Sequence, residues 1–135
     1  MKPTTPIKNR DVLMNDYAMI DGLLTISEAI AIAISKNVSI LVVNKRHEHD
    51  EYGMLLLSDI ARKVLATDKS PERVNVYEIM IKPVMSVCPD MDIRYTARLF
   101  DQFQINKAPV IEQGNIIGFV TYDDIVIKGM VKNAI

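Results

Sequence analysis

The feature that most constrains this chain is an internal duplication. Gly53, Asp59, Ile60 and Lys63 fall on Gly118, Asp124, Ile125 and Lys128 at a constant spacing of 65 residues, and upstream Ala29 and Val42 fall on Ala97 and Val110 at a spacing of 68. A longer hairpin loop in the first copy accounts for the three-residue change. The order of elements also repeats. In the first copy the spacing of apolar residues predicts a helix from about Ser27, entered through the capping-box pair Thr25 and Glu28 and ending at Asn37. A strand Ser39–Val43, a polar loop 44–51, a strand Tyr52–Leu57 and a helix from Ser58 to Ala66 follow. In the second copy come a helix from about Asp92, a strand Ala108–Ile111, a tight turn at Gln113–Asn115, a strand Ile116–Val120 and a helix from Tyr122. This is a tandem β-α-β-β-α unit of an α+β fold. Each copy is near the size below which a domain folds poorly alone, so the two are expected to share a core. The expected boundaries are an N-terminal lead 1–10, a first repeat 11–68, a hinge 69–78 around Ser70 and Pro71, and a second repeat 79–135.

Composition narrows the function classes. With 16 Lys and Arg against 17 Asp and Glu, the chain carries no broad basic face for nucleic acid or anionic membrane. Apolar runs such as 29–34 and 53–57 stop far short of the roughly 20 residues a membrane helix needs. Residues 1–6 lack the apolar stretch of a secretory signal, and Cys88 is the single cysteine, so no disulfide forms within the chain. A cytoplasmic protein is the simplest expectation.

Chemistry concentrates at the second strand-to-helix junction, Gly118-Phe-Val-Thr121-Tyr-Asp-Asp124. Glycine in the strand lets a ligand or another backbone approach. The Thr121 hydroxyl and the free N–H groups of the first helical turn suit a phosphate, and the Asp124 carboxylate can accept from the two adjacent hydroxyls of a ribose. Thr121 and Asp124 also have the spacing of a capping box that serves only the helix. Both readings stand at this point.

The chain from about Asp11 to Met130 resembles a tandem pair of cystathionine β-synthase (CBS) domains. The resemblance rests on Ala97, on Ala108-Pro109-Val110-Ile111 and on the Gly118–Asp124 junction. It implies two repeats packed with pseudo-two-fold symmetry, a Bateman-type module, with an adenine nucleotide (AMP, ADP or ATP) or S-adenosylmethionine as a regulatory ligand between the copies. By that resemblance Thr121 contacts phosphate and Asp124 the ribose hydroxyls. Val87, Cys88 and Ala108 line the adenine pocket, and Lys107 meets the phosphates unless it is simply a solvated lysine at a strand end. The first copy keeps Asp59 but has Leu56 in place of the hydroxyl residue and Leu41 where the second has Pro109, which makes the second site the better candidate.

Other constellations have plain explanations. His47, Glu48, His49, Asp50 and Glu51 have the composition of a divalent-metal loop, but a solvated hairpin loop has the same composition and no distant Cys or His completes a tetrahedral set. No metal site is expected. Cys88 has no histidine partner in its own half and reads as a small buried apolar residue. Lys128 and Lys132 are too few for a nucleic-acid face, and the eight Met are scattered as core filler. The expected protein is a non-catalytic, energy-sensing regulatory module that needs no cofactor and signals to an effector on another chain, since the pattern begins near Met1 and ends near Ile135. A homodimer is expected through Ile60, Val64, Ile125 and Ile127. The rival is a structural dimerisation module without a small-molecule ligand, and an enzyme built on the His47 loop ranks last because no acid-base set is assembled.

Overall fold

Helix α1 (Ile26–Lys36) starts and stops where its residues dictate. Thr25 Oγ1 accepts from Glu28 N at 3.2 Å while Glu28 Oε1 accepts from Thr25 N at 3.0 Å, and Asn37 closes the helix in the left-handed region at φ 53°. In the computed structural model, which describes residues 5–131, α1 belongs to a unit spanning Asp16–Val84. The lead's first four residues, Lys132 and the three residues after it lie outside the described residues. The unit holds β1 (Ala18–Ile20), α1, β2 (Ile40–Val43), β3 (Gly53–Leu56), α2 (Leu57–Ile60) with a π-helical continuation Ala61–Leu65, and α3 (Val76–Ile79). β1 runs parallel to β2 and β2 antiparallel to β3. One face of this sheet buries Ile20, Leu41, Val43 and Leu55 with Ile26 and Ala29 of α1 and with Ile60, Val64 and Val76. Each of the Val, Leu and Ile side chains contributes about 1.5–3 kcal/mol of burial.

The second unit joins the chain's beginning, up to Asn15, to its end, from Met85. It contains α4 (Ile93–Phe103), the antiparallel pair β4 (Lys107–Glu112) and β5 (Asn115–Thr121), and α5 (Tyr122–Asp124), which continues as a π-helical stretch Ile125–Met130. Single bridges widen its sheet: Val87 pairs in parallel with Val110, and Met14 antiparallel with Phe119. Val12, Val87, Ile93, Phe100, Ala108, Val110, Val120 and Ile125 form its core, and the Phe100 ring meets Tyr122 edge-on at 5.3 Å.

The expected boundaries therefore differ from the observed ones. Residues 11–15 pack with the second half because Val12 is fully buried in its core. Residues 69–78 do not form a free hinge, since Val74 and Val76 are buried in the first unit's core and Ser27 N and Ile26 N bond to Pro71 O and Val74 O.

Main-chain hydrogen bonds fix how the copies correspond. Ile26 N–Val74 O matches Ile93 N–Ile7 O, Tyr77 N–Gly22 O matches Arg10 N–Pro89 O, and the Met54–Ile81 pair matches Phe119–Met14. The spacing is thus 67 through lead, helix and first hairpin strand, and 65 beyond the loop. The expected 68 followed identical residue types, Ala over Ala and Val over Val, whereas the helix caps Thr25 and Asp92 set the true register. Ala29 lies over Thr96, and the counterpart of Pro109 is Val42, not Leu41.

Candidate functional site

The hairpin of the second unit delivers three of the expected residues to one end of its sheet. Lys107 and Thr121 are direct cross-strand partners, and Ala108 lies beside Val120 and is fully buried. Tyr122 N bonds to Asn106 O at 3.1 Å, so the chain turns into α5 against the start of β4. Thr121 Oγ1 accepts from Asp124 N at 3.0 Å and donates to Asp124 Oδ2 at 2.7 Å. The other carboxylate oxygen, Oδ1, is held by Lys128 Nζ at 3.1 Å, and Lys128 also donates to Leu13 O at 2.7 Å. Lys128 is a positioning residue that composition alone passed over. The i,i+4 spacing of Asp124 and Lys128 is the sequence signal that finds it.

Glycine at the junction makes room for protein. A Cβ on Gly118 would stand 3.0 Å from Asn15 Oδ1 and 3.2 Å from the Leu13 side chain, and one on Gly53 would stand 2.7 Å from Met80 Sδ. In each unit the glycine admits the segment that precedes the unit's counterpart strand.

The other two residues expected at the adenine pocket sit farther along the sheet. Val87 is buried, and its N–H and C=O are bonded to Pro109 O and Ile111 N. Cys88 follows it at the far end of the sheet, about 13 Å from Lys107 at roughly 3.3 Å per strand residue. It is exposed, not buried as expected, because successive strand residues point to opposite faces. Its carbonyl accepts from Asn9 Nδ2 at 2.8 Å. Two residues upstream in the same parallel register, Met85 comes level with Ala108 and is 37% exposed, a candidate that sequence reasoning missed.

The first unit's junction has a different chemistry. Asp59 is 1% exposed; its Oδ2 accepts from Leu56 N at 3.0 Å and its Oδ1 pairs with Arg62. With Leu56 supplying no hydroxyl, the carboxylate itself turns inward to cap the helix. Lys63, the counterpart of Lys128, donates to Ile79 O at 3.0 Å.

The expected dimer residues are also redistributed. Ile60, Val64 and Ile125 are buried within their units, and Ile127 alone of the four is exposed, at 65%. Leu65, Val126 and Met130 are exposed beside them in sequence. The His47–Glu51 loop holds no cluster of three metal-ligating side chains among the described residues. No described helix is long and apolar enough to cross a membrane.

Comparisons with known proteins agree with this architecture. The model of the CBS domain matches residues 76–129. The chain is 32% identical over 88 residues to the uncharacterized protein MK0525 of Methanopyrus kandleri and 22% identical over 116 residues to MJ0450 of Methanocaldococcus jannaschii. It covers 64% and 85% of its own length in these matches but only 44% and 62% of those relatives, so it spans about half the length of the curated proteins it matches. Among solved structures, the hexameric CBS-CP12 protein from bloom-forming cyanobacteria superposes with a TM-score of 0.85 at 35% identity, covering 93% of this chain and 73% of that one. The CBS domain protein PAE2072 from Pyrobaculum aerophilum, complexed with AMP, has the same fold at a TM-score of 0.78 and 16% identity, covering 95% and 97%. So does the CBS domain pair of MJ0100 in complex with 5'-methylthioadenosine and S-adenosyl-L-methionine, at 0.76 and 24%, covering 96% and 98%. A duplicated α+β unit with this junction and a 35% identical structural relative covered over most of its length have one reading: the chain belongs to the CBS domain family.

Proposed function

We propose that this chain is a non-catalytic regulatory module that binds an adenine nucleotide or adenosyl ligand at the Thr121–Asp124 junction and passes its occupancy to a partner protein. The supporting observation is the state of the Asp124 carboxylate. One oxygen accepts from Thr121 Oγ1 and the other from Lys128 Nζ. A carboxylate has about four lone-pair sites, so each oxygen keeps one for a ribose hydroxyl while the existing bonds hold it still. Lys107, level with Thr121, supplies positive charge for phosphate. AMP in PAE2072 and the adenosyl ligands in MJ0100 support the ligand class, and ADP, ATP and S-adenosylmethionine belong to the same set of candidates. The proposed role is energy sensing in the cytoplasm. Exposed Leu65, Ile127 and Met130 favour a homodimer.

A second reading has its own observation. The Thr121 cap is complete as it stands, as a purely structural dimerisation module requires. Thermal melting of the full chain with AMP, ATP or S-adenosylmethionine separates the two. Ligand at about 100 times its dissociation constant adds roughly 2.7 kcal/mol, a rise of about 8–13 °C at this chain length. No shift with any of the three favours the structural reading.

A further inference from the structure

The two units differ at the end of the sheet remote from the junctions. In the second unit this end is closed by ion pairs: Arg10 Nε donates to Asp90 Oδ1 and Arg10 Nη2 to Glu112 Oε2, each at 2.8 Å. The 67-residue correspondence puts Tyr77, Leu23 and Lys45 at the places of Arg10, Asp90 and Glu112. The closing arginine has become an aromatic ring, and one of its two carboxylates has become an ammonium. In place of the ion pairs there is a cavity of about 420 Å³.

Its walls are apolar and its rim is cationic. Leu23 and Tyr77 are 72% and 50% exposed, and Val43 and Met80 close the back. Lys45, Arg46 and Lys82 stand around the opening with one carboxylate, Asp21. Asp21 Oδ1 accepts from Leu23 N at 2.8 Å. Lys82 is neutralised by Asp50 at 2.8 Å, and Lys45 lies 4.8 Å from the centre of the Tyr52 ring. Arg46 gives its main-chain N–H to Asp50 at 2.8 Å, and its guanidinium is in no ion pair among the described residues. Arg46 thus brings to the opening a guanidinium unpaired among the described residues, beside a ring and aliphatic surface.

We propose that this cavity of the first unit is a second ligand site, for a small organic anion whose phosphate or carboxylate meets Arg46 and Lys45 while its flat apolar body lies against Tyr77 and Leu23. A planar guanidinium suits either oxyanion bidentately. The site shares no residue with the Thr121–Asp124 junction and does not rest on the nucleotide reading.

The test is an amide NMR titration of the full chain with phenyl phosphate as probe, and with inorganic phosphate and benzyl alcohol in parallel. Phenyl phosphate is expected to give saturable shifts at Gly22, Asn44, Lys45 and Tyr77 with a dissociation constant of about a millimolar or below. Arg46→Ala, at an exposed position, weakens it about tenfold through loss of a charge-assisted bond. Leu23→Asp with Lys45→Glu and Tyr77→Arg transplants the second unit's ion set and abolishes it. Several results would overturn the proposal: no saturable shift at these amides, equal affinity for inorganic phosphate or for benzyl alcohol, or unchanged phenyl phosphate binding in Arg46→Ala.

Discussion

Replacing Asp124 with alanine separates the carboxylate's role toward a ligand from its role toward the helix. The helix cap survives, because its acceptor is Thr121 Oγ1 and its donor is the main-chain N of residue 124. What is lost is the acceptor for the Thr121 hydroxyl at 2.7 Å and for Lys128 at 3.1 Å. Lys128 keeps Leu13 O and its side chain is 40% exposed, so the pair is worth only the 0.2–1 kcal/mol typical of solvated ion pairs. With the hydroxyl free to turn to water, the whole stability cost is about 1 kcal/mol, or roughly 3–5 °C. Affinity is more sensitive. Two ribose hydroxyls lose a charged acceptor, about 1.5–3 kcal/mol, which weakens AMP about ten- to 150-fold. Thr121→Val removes the cap itself, for about 0.5–2 kcal/mol of stability, and with it the hydroxyl assigned to the phosphate and bonded to Asp124 Oδ2, so stability and AMP affinity are expected to fall together. Calorimetric titration with AMP beside urea unfolding reads both quantities in each variant. An Asp124→Ala protein that binds AMP as wild type does, while losing stability, would refute the assignment of Asp124 to the ribose.

Three further outcomes follow from the geometry. Titration with AMP is expected to give one tight site per chain, and Asp59→Ala to lower the urea midpoint while leaving AMP affinity unchanged, since Asp59 is buried on Leu56 N and Arg62; two equivalent sites would contradict this. Thr96→Val removes the 2.7 Å hydroxyl donor to Asn9 Oδ1 in a fully buried pair, so equilibrium unfolding should show a loss of about 1–3 kcal/mol from the orphaned acceptor. The carboxyls of Asp50, Asp90 and Asp92 are held below the usual range, first by hydrogen bonds from Lys82, Arg10 and Arg94 respectively. Folded values below unfolded ones stabilise fully above the ordinary carboxyl range and fade as pH falls through the folded values, so melting temperature should hold above about pH 5 and drop below about pH 4, less steeply in Asp50→Asn.

What was legible in the sequence is what local chemistry decides. The Thr25–Glu28 cap, the left-handed stop at Asn37, both hairpins and the Thr121–Asp124 junction need only neighbours within a few residues. The placement of the leads is another matter. Val12 is buried because Val87, Phe100 and Ile125 surround it, partners at least 75 residues away that no periodicity near Val12 encodes. β1 is Ala-Met-Ile, so its buried-exposed-buried alternation leaves no mark in the sequence. The misplacement of Cys88 has a related cause: a residue's level along a sheet is set by the parallel register of Val87 with Val110, and a one-residue difference exchanges buried for exposed. The repeat spacing failed by one residue for the opposite reason, since matching residue identities outweighed matching caps.

At their junctions the copies differ in the cap residue, Thr121 against Leu56, and in the burial of the aspartate three residues on. Where Thr121 supplies a hydroxyl, the N–H of residue 124 is capped by a neutral group, and the Asp124 carboxylate stays at the surface with its side chain 16% exposed. Where Leu56 stands instead, Asp59 turns back to the Leu56 N–H and is 1% exposed. An aspartate at the same position in both copies is thus partly exposed in one and buried in the other. Retention of the aspartate alone is therefore a poor guide to a site in this fold. Both carboxylates carry one bond on each oxygen, so what separates the two junctions is access: Asp59 is 1% exposed and the Asp124 side chain 16%.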